Sequence, residues 1–411
     1  MSLITKVTDI RAKNLLRKFN LDAELIKIEK NRGKLNHFQA MALAIAEAYQ
    51  GAPYVAPNPM VGCVVIDSKG HFLSKGFHEF YGGPHAEVNA VKGLSEEQLS
   101  GAHVLVTLEP CAHQGKTPSC AKMLSKLPIA KVTYGLLDPN PLVAGKGVEI
   151  LKSAGKQVEI YEGEDFKFDL QIELEELAEN FLFNFRNKKT FFALKWAQSL
   201  DGKMGLLNGQ SKWITNSISR EYAHYLRSIY DATMVGANTI IQDNPVLNIR
   251  LNSIKKENKV IIFDPKAVVF NDLDKFQFQQ AHKKENIFYL ILDEFYQKFD
   301  NKFLSNQVII INKENEKINL ADMNLKIYQQ GISSVLLEGG AKAIQYFLNE
   351  SHWQRIYSFV APTILGAGLE YANSIKLNDI QDKLILEHSK SITFENDVLI
   401  TGIKKYDNKS N

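Results

Sequence analysis

Short apolar runs alternate with amphipathic helical segments along most of this chain, and the alternation breaks once, in an acidic stretch at 163–186. Strand–helix alternation builds sheets with helices laid on their faces, so two α/β units are expected, one on each side of the break. The length of 411 residues agrees, because one core serves roughly 100–200 residues. The chain therefore divides into a basic extension at 1–36, a first unit at 37–162, a connecting helix at 163–188 and a second unit at 189–411. In the first unit, Phe38, Met41, Ala42, Ile45 and Ala48 mark one face of a helix that stops at Gly51. Runs at 61–66 and 72–77 form a hairpin about Asp67-Ser68-Lys69-Gly70, and strands follow at 104–108 and 131–136. Helices are expected after Pro84 and near Cys120. In the second unit, strands are expected at 191–195, 232–235, 260–263, 287–292, 308–311 and 335–337, with a helix at 341–348.

Charge and cysteine usage narrow the class. The extension carries nine Lys/Arg against four Asp/Glu, a net of +5, which leaves −2 for the rest of a chain whose total is +3. A near-neutral body argues against a nucleic-acid footprint. Leu3, Val7 and Ile10, like Leu21, Leu25 and Ile28, recur at helical spacing, so the extension reads as packing on the body rather than as an organellar targeting signal. No apolar run approaches the roughly 20 residues of a membrane span. Three cysteines (Cys63, Cys111 and Cys120) make no disulfide framework and fit a reducing, cytoplasmic compartment.

The chemistry-bearing constellation is His85-Ala86-Glu87 followed by Glu109-Pro110-Cys111 and Cys120. A catalytic zinc takes three protein ligands and leaves one position open, and one imidazole with two thiolates supplies the three. Zinc lowers the pKa of water toward 7. Hydrolysis at an amino-bearing ring carbon then needs a proton shuttle, for which Glu87 has the right chemistry. The zinc-deaminase signature is H-x-E followed by P-C-x-x-C, but here eight residues separate the cysteines instead of two. Cys63, inside Val61-Gly62-Cys63-Val64-Val65-Ile66, reads as core packing.

That longer loop, Pro110-Cys111-Ala112-His113-Gln114-Gly115-Lys116-Thr117-Pro118-Ser119-Cys120, resembles the bifunctional riboflavin-biosynthesis deaminase/reductases. So do Pro57-Asn58-Pro59-Met60-Val61-Gly62, Gly76-Phe77-His78, Asp138-Pro139-Asn140-Pro141 and Ala144-Gly145-Lys146-Gly147, all in matching order. The resemblance implies a cytidine-deaminase-like three-layer zinc domain followed by a dihydrofolate-reductase-like α/β domain. It implies one zinc held by His85, Cys111 and Cys120, with Glu87 catalytic and Asn58, His78, His113 and Lys116 on a phosphorylated pyrimidine substrate. Ser119 stands where the family usually has proline.

The second half resembles the same family through Leu194-Lys195-Trp196-Ala197-Gln198-Ser199-Leu200-Asp201-Gly202-Lys203, Ser211-Lys212-Trp213-Ile214-Thr215, Asn244-Pro245-Val246-Leu247 and Leu337-Glu338-Gly339-Gly340. The resemblance implies NADPH against Ala197, Trp213, Thr215, Thr239, Asp243 and Gly340, with substrate against Ser211, Arg227, Leu247, Arg250 and Glu338. No G-x-G-x-x-G occurs, so a Rossmann domain is not expected. The family is often dimeric or tetrameric, which leaves a homo-oligomer open. Two other readings are a zinc nucleoside or tRNA base deaminase with an accessory C-terminal domain, and a binding module with a structural zinc. The near-neutral body counts against the first, and the set of three ligands against the second.

Overall fold

The computed structural model describes residues 10–18, 27–28, 30–112, 118–140, 144–163, 170–252, 254–298 and 307–405. Two compact units divide the chain, at 1–187 and 188–411.

In the first unit, strand β1 (Gly62–Ile66) is buried along its whole length. Its alternate side chains enter two different cores: Val64 and Ile66 join one, Cys63 and Val65 the other. A strand with period two can do this only when both faces of its sheet are covered. The sheet runs β2-β1-β3-β4-β5, with β2 at Phe72–Phe77, β3 at His103–Leu108, β4 at Lys131–Leu136 and β5 at Gln157–Ile160. β1 pairs antiparallel with β2 and β3, while β3, β4 and β5 are parallel.

One face carries helix α1 (Ile10–Lys18), through Leu15 and Leu16, and α2 (His37–Ala48). Asn36 caps α2 reciprocally: its side chain accepts the Gln39 N–H at 2.8 Å, and its own N–H donates to Gln39 Oε1 at 3.0 Å. The other face carries α3 (Ala86–Val91), α4 (Cys120–Lys126) and α5 (Lys146–Ser153), through Ala86, Ala90, Ala121, Leu124 and Leu151. The result is the three-layer α/β/α arrangement expected of this unit.

The acidic stretch departs from expectation. It is not one helix but two, α6 (Gln171–Leu177) and α7 (Glu179–Asn187), broken at Ala178. Nor does it stand apart as a connector: Leu170, Leu174, Leu177 and Leu182 are buried in the core of α1 and α2. Their three- to four-residue spacing puts them on one face, and that face is the reason the segment belongs to the first unit.

The second unit is built on β6 (Phe191–Ser199), which continues four residues past the expected strand. With it run β7 (Ala232–Gly236), β8 (Lys259–Phe263), β9 (Ile287–Leu292), β10 (Val308–Ile311), a short ribbon of β11 (Lys313–Glu314) and β12 (Lys317–Ile318), and β13 (Ser334–Glu338). The β11–β12 ribbon is not among the expected strands, nor are β14 (Arg355–Ala361), β15 (Leu386–Phe394) and β16 (Asp397–Lys404). The nine-stranded order is β10-β9-β8-β7-β13-β6-β14-β16-β15, parallel from β10 to β14 and antiparallel beyond. Helices α8 (Ser217–Ile229), α9 (Ala237–Asp243), α10 (Leu320–Gln329) and α11 (Ala341–Asn349) complete the elements that matter below. In open parallel sheets, ligands bind at the carboxyl ends of the strands. Here Gly236, the last residue of β7, and Gly340, two residues after β13, line one cavity.

Candidate active sites

The first site sits where β3 ends and α3 and α4 begin. His85 is the N-cap residue of α3 and Cys120 the first residue of α4. Cys111 follows β3 by three residues and is tied to the α4 start: its carbonyl accepts the Ser119 hydroxyl at 2.7 Å and the Ala121 N–H at 3.1 Å. Ser119 also caps α4 by accepting the Lys122 N–H at 3.2 Å, so the residue standing for the family's proline binds two of the ligand segments together.

His85 Nδ1 lies 3.5 Å from Cys111 Sγ and 3.4 Å from Cys120 Sγ. A tetrahedral zinc with bonds of roughly 2.0–2.3 Å sets N···S separations of about 3.6 Å, so these three side chains already form one face of a zinc tetrahedron. They are the group of potential metal ligands found among the described residues. The hydrogen bond from the Cys120 thiol holds Cys111 down to about 4, in the thiolate form a metal requires, while the same bond and burial push Cys120 up.

Glu87, one helical residue on, is only 3% exposed. Burial pushes its carboxyl up to about 7, the Cys111 charge adds to the shift, and His85 opposes it. A carboxyl poised there can both take and give a proton near neutral pH. The His78 ring donates from Nδ1 to the Pro84 carbonyl at 3.0 Å, which leaves Nε2 to accept from Asn58 Nδ2 at 3.1 Å. Burial lowers the His78 pKa, which keeps it in this neutral form.

Asn58, His78, His85, Glu87 and Cys111 line one cavity of about 290 Å³, together with Tyr81, Glu109, Asp138, Asn140, Phe181 and Phe185, while Cys120 is fully buried. His113 and Lys116 lie outside the described residues. The sequence reading gave no role to these six lining residues. Phe181 and Phe185, four apart on α7, come from the stretch read as a connector, so nothing local in the sequence marked them.

The second unit holds a cavity of about 590 Å³ lined by Ser211, Thr239, Asp243 and Gly340 among others. Gly339 and Gly340 both have φ of 63°, and a Cβ at Gly340 would stand 2.7 Å from Thr239 Oγ1. The backbone turn at the α11 start is therefore bare, as close approach to a pyrophosphate needs. Ala197, Trp213 and Thr215 are not in that lining. Trp213 is 72% exposed, with the Arg220 guanidinium 4.4 Å over its ring.

Beside β13 lies a charged cluster. Arg227 donates to Glu338 from Nε at 2.5 Å and from a terminal nitrogen at 3.0 Å, and Lys195 Nζ donates to it at 3.3 Å. Burial opposes ionisation of Glu338, but Arg227 and Lys195 outweigh it and hold the carboxyl at about 2. Arg227 is thus committed to an internal pair, and Leu247 is buried at 2% exposure. Arg250 stays exposed, its Nε donating to His224 Nε2 at 3.2 Å. Burial, then Arg227 and Arg250, drive His224 down to about 4, so it is neutral and free to accept. His224 was not singled out by the sequence.

Residues 35–136 match the family model of the cytidine and deoxycytidylate deaminase zinc-binding region, and residues 190–400 match that of the RibD C-terminal domain. The chain is 37% identical over 379 residues to the riboflavin biosynthesis protein RibD of Aquifex aeolicus, a match covering 91% of this chain and 98% of that protein. The chain belongs to the RibD family. RibD of Bacillus amyloliquefaciens is 32% identical over 367 residues, covering 89% of this chain and 95% of that one. Among solved structures, Acinetobacter baumannii RibD superposes with a TM-score of 0.72 at 31% identity, covering 90% of this chain and 99% of that one. A diaminohydroxyphosphoribosylaminopyrimidine deaminase/5-amino-6-(5-phosphoribosylamino)uracil reductase from Thermotoga maritima also gives 0.72, at 32% identity, covering 90% and 98%. The expected order of a deaminase-like zinc domain and then a RibD reductase domain therefore holds.

Proposed function

We propose that this protein deaminates 2,5-diamino-6-(5-phosphoribosylamino)pyrimidin-4(3H)-one in its first unit and, in its second, reduces the ribosyl group of the product to ribityl with NADPH. The observation that carries the reading is the His85–Cys111–Cys120 triangle, with His85, Cys111 and buried Glu87 lining one cavity, in a RibD-family chain. Zinc bound by those three residues supplies Lewis acidity that makes water a nucleophile near neutral pH. Glu87 takes a proton from the attacking water and delivers it to the ring nitrogen, then carries the second proton, from the added hydroxyl, to the amine, which departs as ammonia. Asn58, oriented by His78, holds the ring, and His113 and Lys116 serve the phosphate-bearing tail. Tyr81, Phe181 and Phe185 give the base an apolar wall.

In the second unit, bound NADPH would supply hydride to C1′ of the ribose, the C1′–O4′ ring bond opening and its oxygen taking up a proton to become a ribityl hydroxyl. Thr239, Asp243 and Gly340 hold the cofactor at the bare turn, with Ala197, Trp213 and Thr215 completing its site. Arg250, steadied by His224, takes the substrate phosphate. Ser211 and Leu247 shape the substrate site, while Arg227 holds Glu338 ionised toward it. The target is a small phosphorylated pyrimidine rather than nucleic acid, which the near-neutral body favours. Thiolate ligands suit a reducing cytoplasm.

Chelation tests the division of labour. A chelator is expected to abolish ammonia release, with recovery on added zinc, while NADPH oxidation driven by the deaminated product continues. Parallel loss of both activities would contradict it. Gly340→Ala tests the cofactor turn: a side chain in this left-handed conformation costs about 1–3 kcal/mol, and the new Cβ meets Thr239. The KM for NADPH is expected to rise several-fold in steady-state assays, with deamination unchanged.

A further inference from the structure

Glu109 has no part in the chemistry above, yet it is a carboxylate only 3% exposed in the lining of the deaminase cavity. It closes β3, two residues before the zinc ligand Cys111. Both of its oxygens are used on backbone. Oε2 accepts the N–H groups of Gly145 at 3.1 Å and Asp138 at 3.4 Å, and Oε1 accepts those of Gly147 at 3.1 Å and Val148 at 3.3 Å. Gly147 and Val148 belong to the first turn of α5, whose N–H groups have no acceptor within the helix and whose dipole favours an anion. Asp138 and Asn140 line the same cavity, and Asp138 Oδ1 accepts the Asn140 N–H at 2.8 Å, so the Glu109 bond fixes a wall and not merely a loop. The approach is close: a Cβ on Gly147 would come within 2.0 Å of the Pro110 carbonyl oxygen.

We propose that Glu109 is a positioning residue of the deaminase site: by gathering the N–H groups of Asp138, Gly145, Gly147 and Val148 it seats the Asp138–Asn140 wall against the Cys111 turn and so sets substrate affinity. The charge is essential to this role. Glutamine has one accepting oxygen, and its amide would turn N–H toward N–H on the other side. Charge-assisted bonds to a buried acceptor are also about twice as strong as neutral ones. The inference rests on the deaminase reading.

The test uses the full-length, zinc-loaded protein with Glu109→Gln and, from the opposite side of the contact, Gly147→Ala. Zinc content and NADPH oxidation with deaminated product report that each variant is folded. Both variants are expected to raise the KM for ammonia release by about tenfold or more while kcat changes little, as loss of charge-assisted positioning bonds predicts. Hydrogen–deuterium exchange over 138–150 is expected to speed up in both, a readout that needs no turnover. Unchanged KM, or a collapse of kcat at constant KM, would overturn the proposal, the second by placing Glu109 in the proton chemistry. Unchanged exchange would overturn it as well. Absence of ammonia release from the unaltered protein would instead count against the deaminase reading, and the exchange result would still decide the clamp.

Discussion

Glu87→Gln is expected to lower kcat for ammonia release by about 10²–10⁴-fold, the range a positioned general acid–base group contributes. The substitution keeps the size of the side chain and removes its proton traffic. Glu87 hydrogen-bonds the Cys120 side chain, a contact that glutamine can keep, and the backbone of the three ligands is set by the α3 start, the end of β3 and the α4 start. Zinc content is therefore expected to stay at one per chain, and NADPH oxidation with deaminated product to proceed at the unaltered rate. The measurement is paired: metal analysis and ammonia release on one sample. Full deaminase activity in the variant would remove Glu87 from the mechanism. Loss of zinc along with activity would make it a structural support of the site.

The second large effect concerns stability. Arg227→Ala leaves Glu338 ionised and buried with Lys195 as its remaining partner, and breaking a buried ion pair from one side costs about 3–5 kcal/mol. For a unit of this size that corresponds to a fall in Tm of roughly 6–20 °C. Glu338→Gln strands the Arg227 cation in the same way. The double replacement Arg227→Leu with Glu338→Gln is expected to recover much of the loss while abolishing reduction, because both members of the buried pair are then neutral and only the partly exposed Lys195 loses its carboxylate.

The pH dependence follows from the sign of the Glu338 shift. The carboxyl sits at about 2 in the folded unit against 4.5 ordinarily. Its contribution is therefore complete above about 4.5 and disappears as the pH falls toward 2. Thermal unfolding should show the gap between unaltered protein and Arg227→Ala narrowing over that window. A gap that is constant with pH would mean the pair does not carry the stability.

The metal site was legible in the sequence because its chemistry demands particular residue types: few combinations of His, Glu and two Cys in this order serve another purpose. The six expected strands of the second unit were legible for a similar reason, as β6 to β9 are buried on both faces and read as continuous apolar runs. The missing strands differ. β15 and β16 form the antiparallel edge, where buried Ile392, Phe394 and Leu399 alternate with exposed or charged residues, so no apolar run announces them. β14 begins with buried Arg355, a residue that ordinarily argues for surface.

Partners distant along the chain were invisible as well. Glu109 accepts from backbone about 30 to 40 residues later, and backbone donors leave no mark on residue type. Phe181 and Phe185 reach the zinc cavity from α7, within the acidic stretch expected to be a connector. In the second unit the resemblance pointed to Arg227 and Glu338 as separate substrate contacts, and only the fold shows them bonded to each other.

One chain is expected to perform both reactions in a fixed order. Purified, zinc-replete protein would be given the diaminopyrimidinone ribosylamino phosphate, with ammonia and NADPH followed together. The account predicts ammonia release without NADPH, and NADPH oxidation only after, and in proportion to, the deaminated product. NADPH oxidation on the substrate that still carries its amine, or no ammonia from protein that holds zinc, would contradict it.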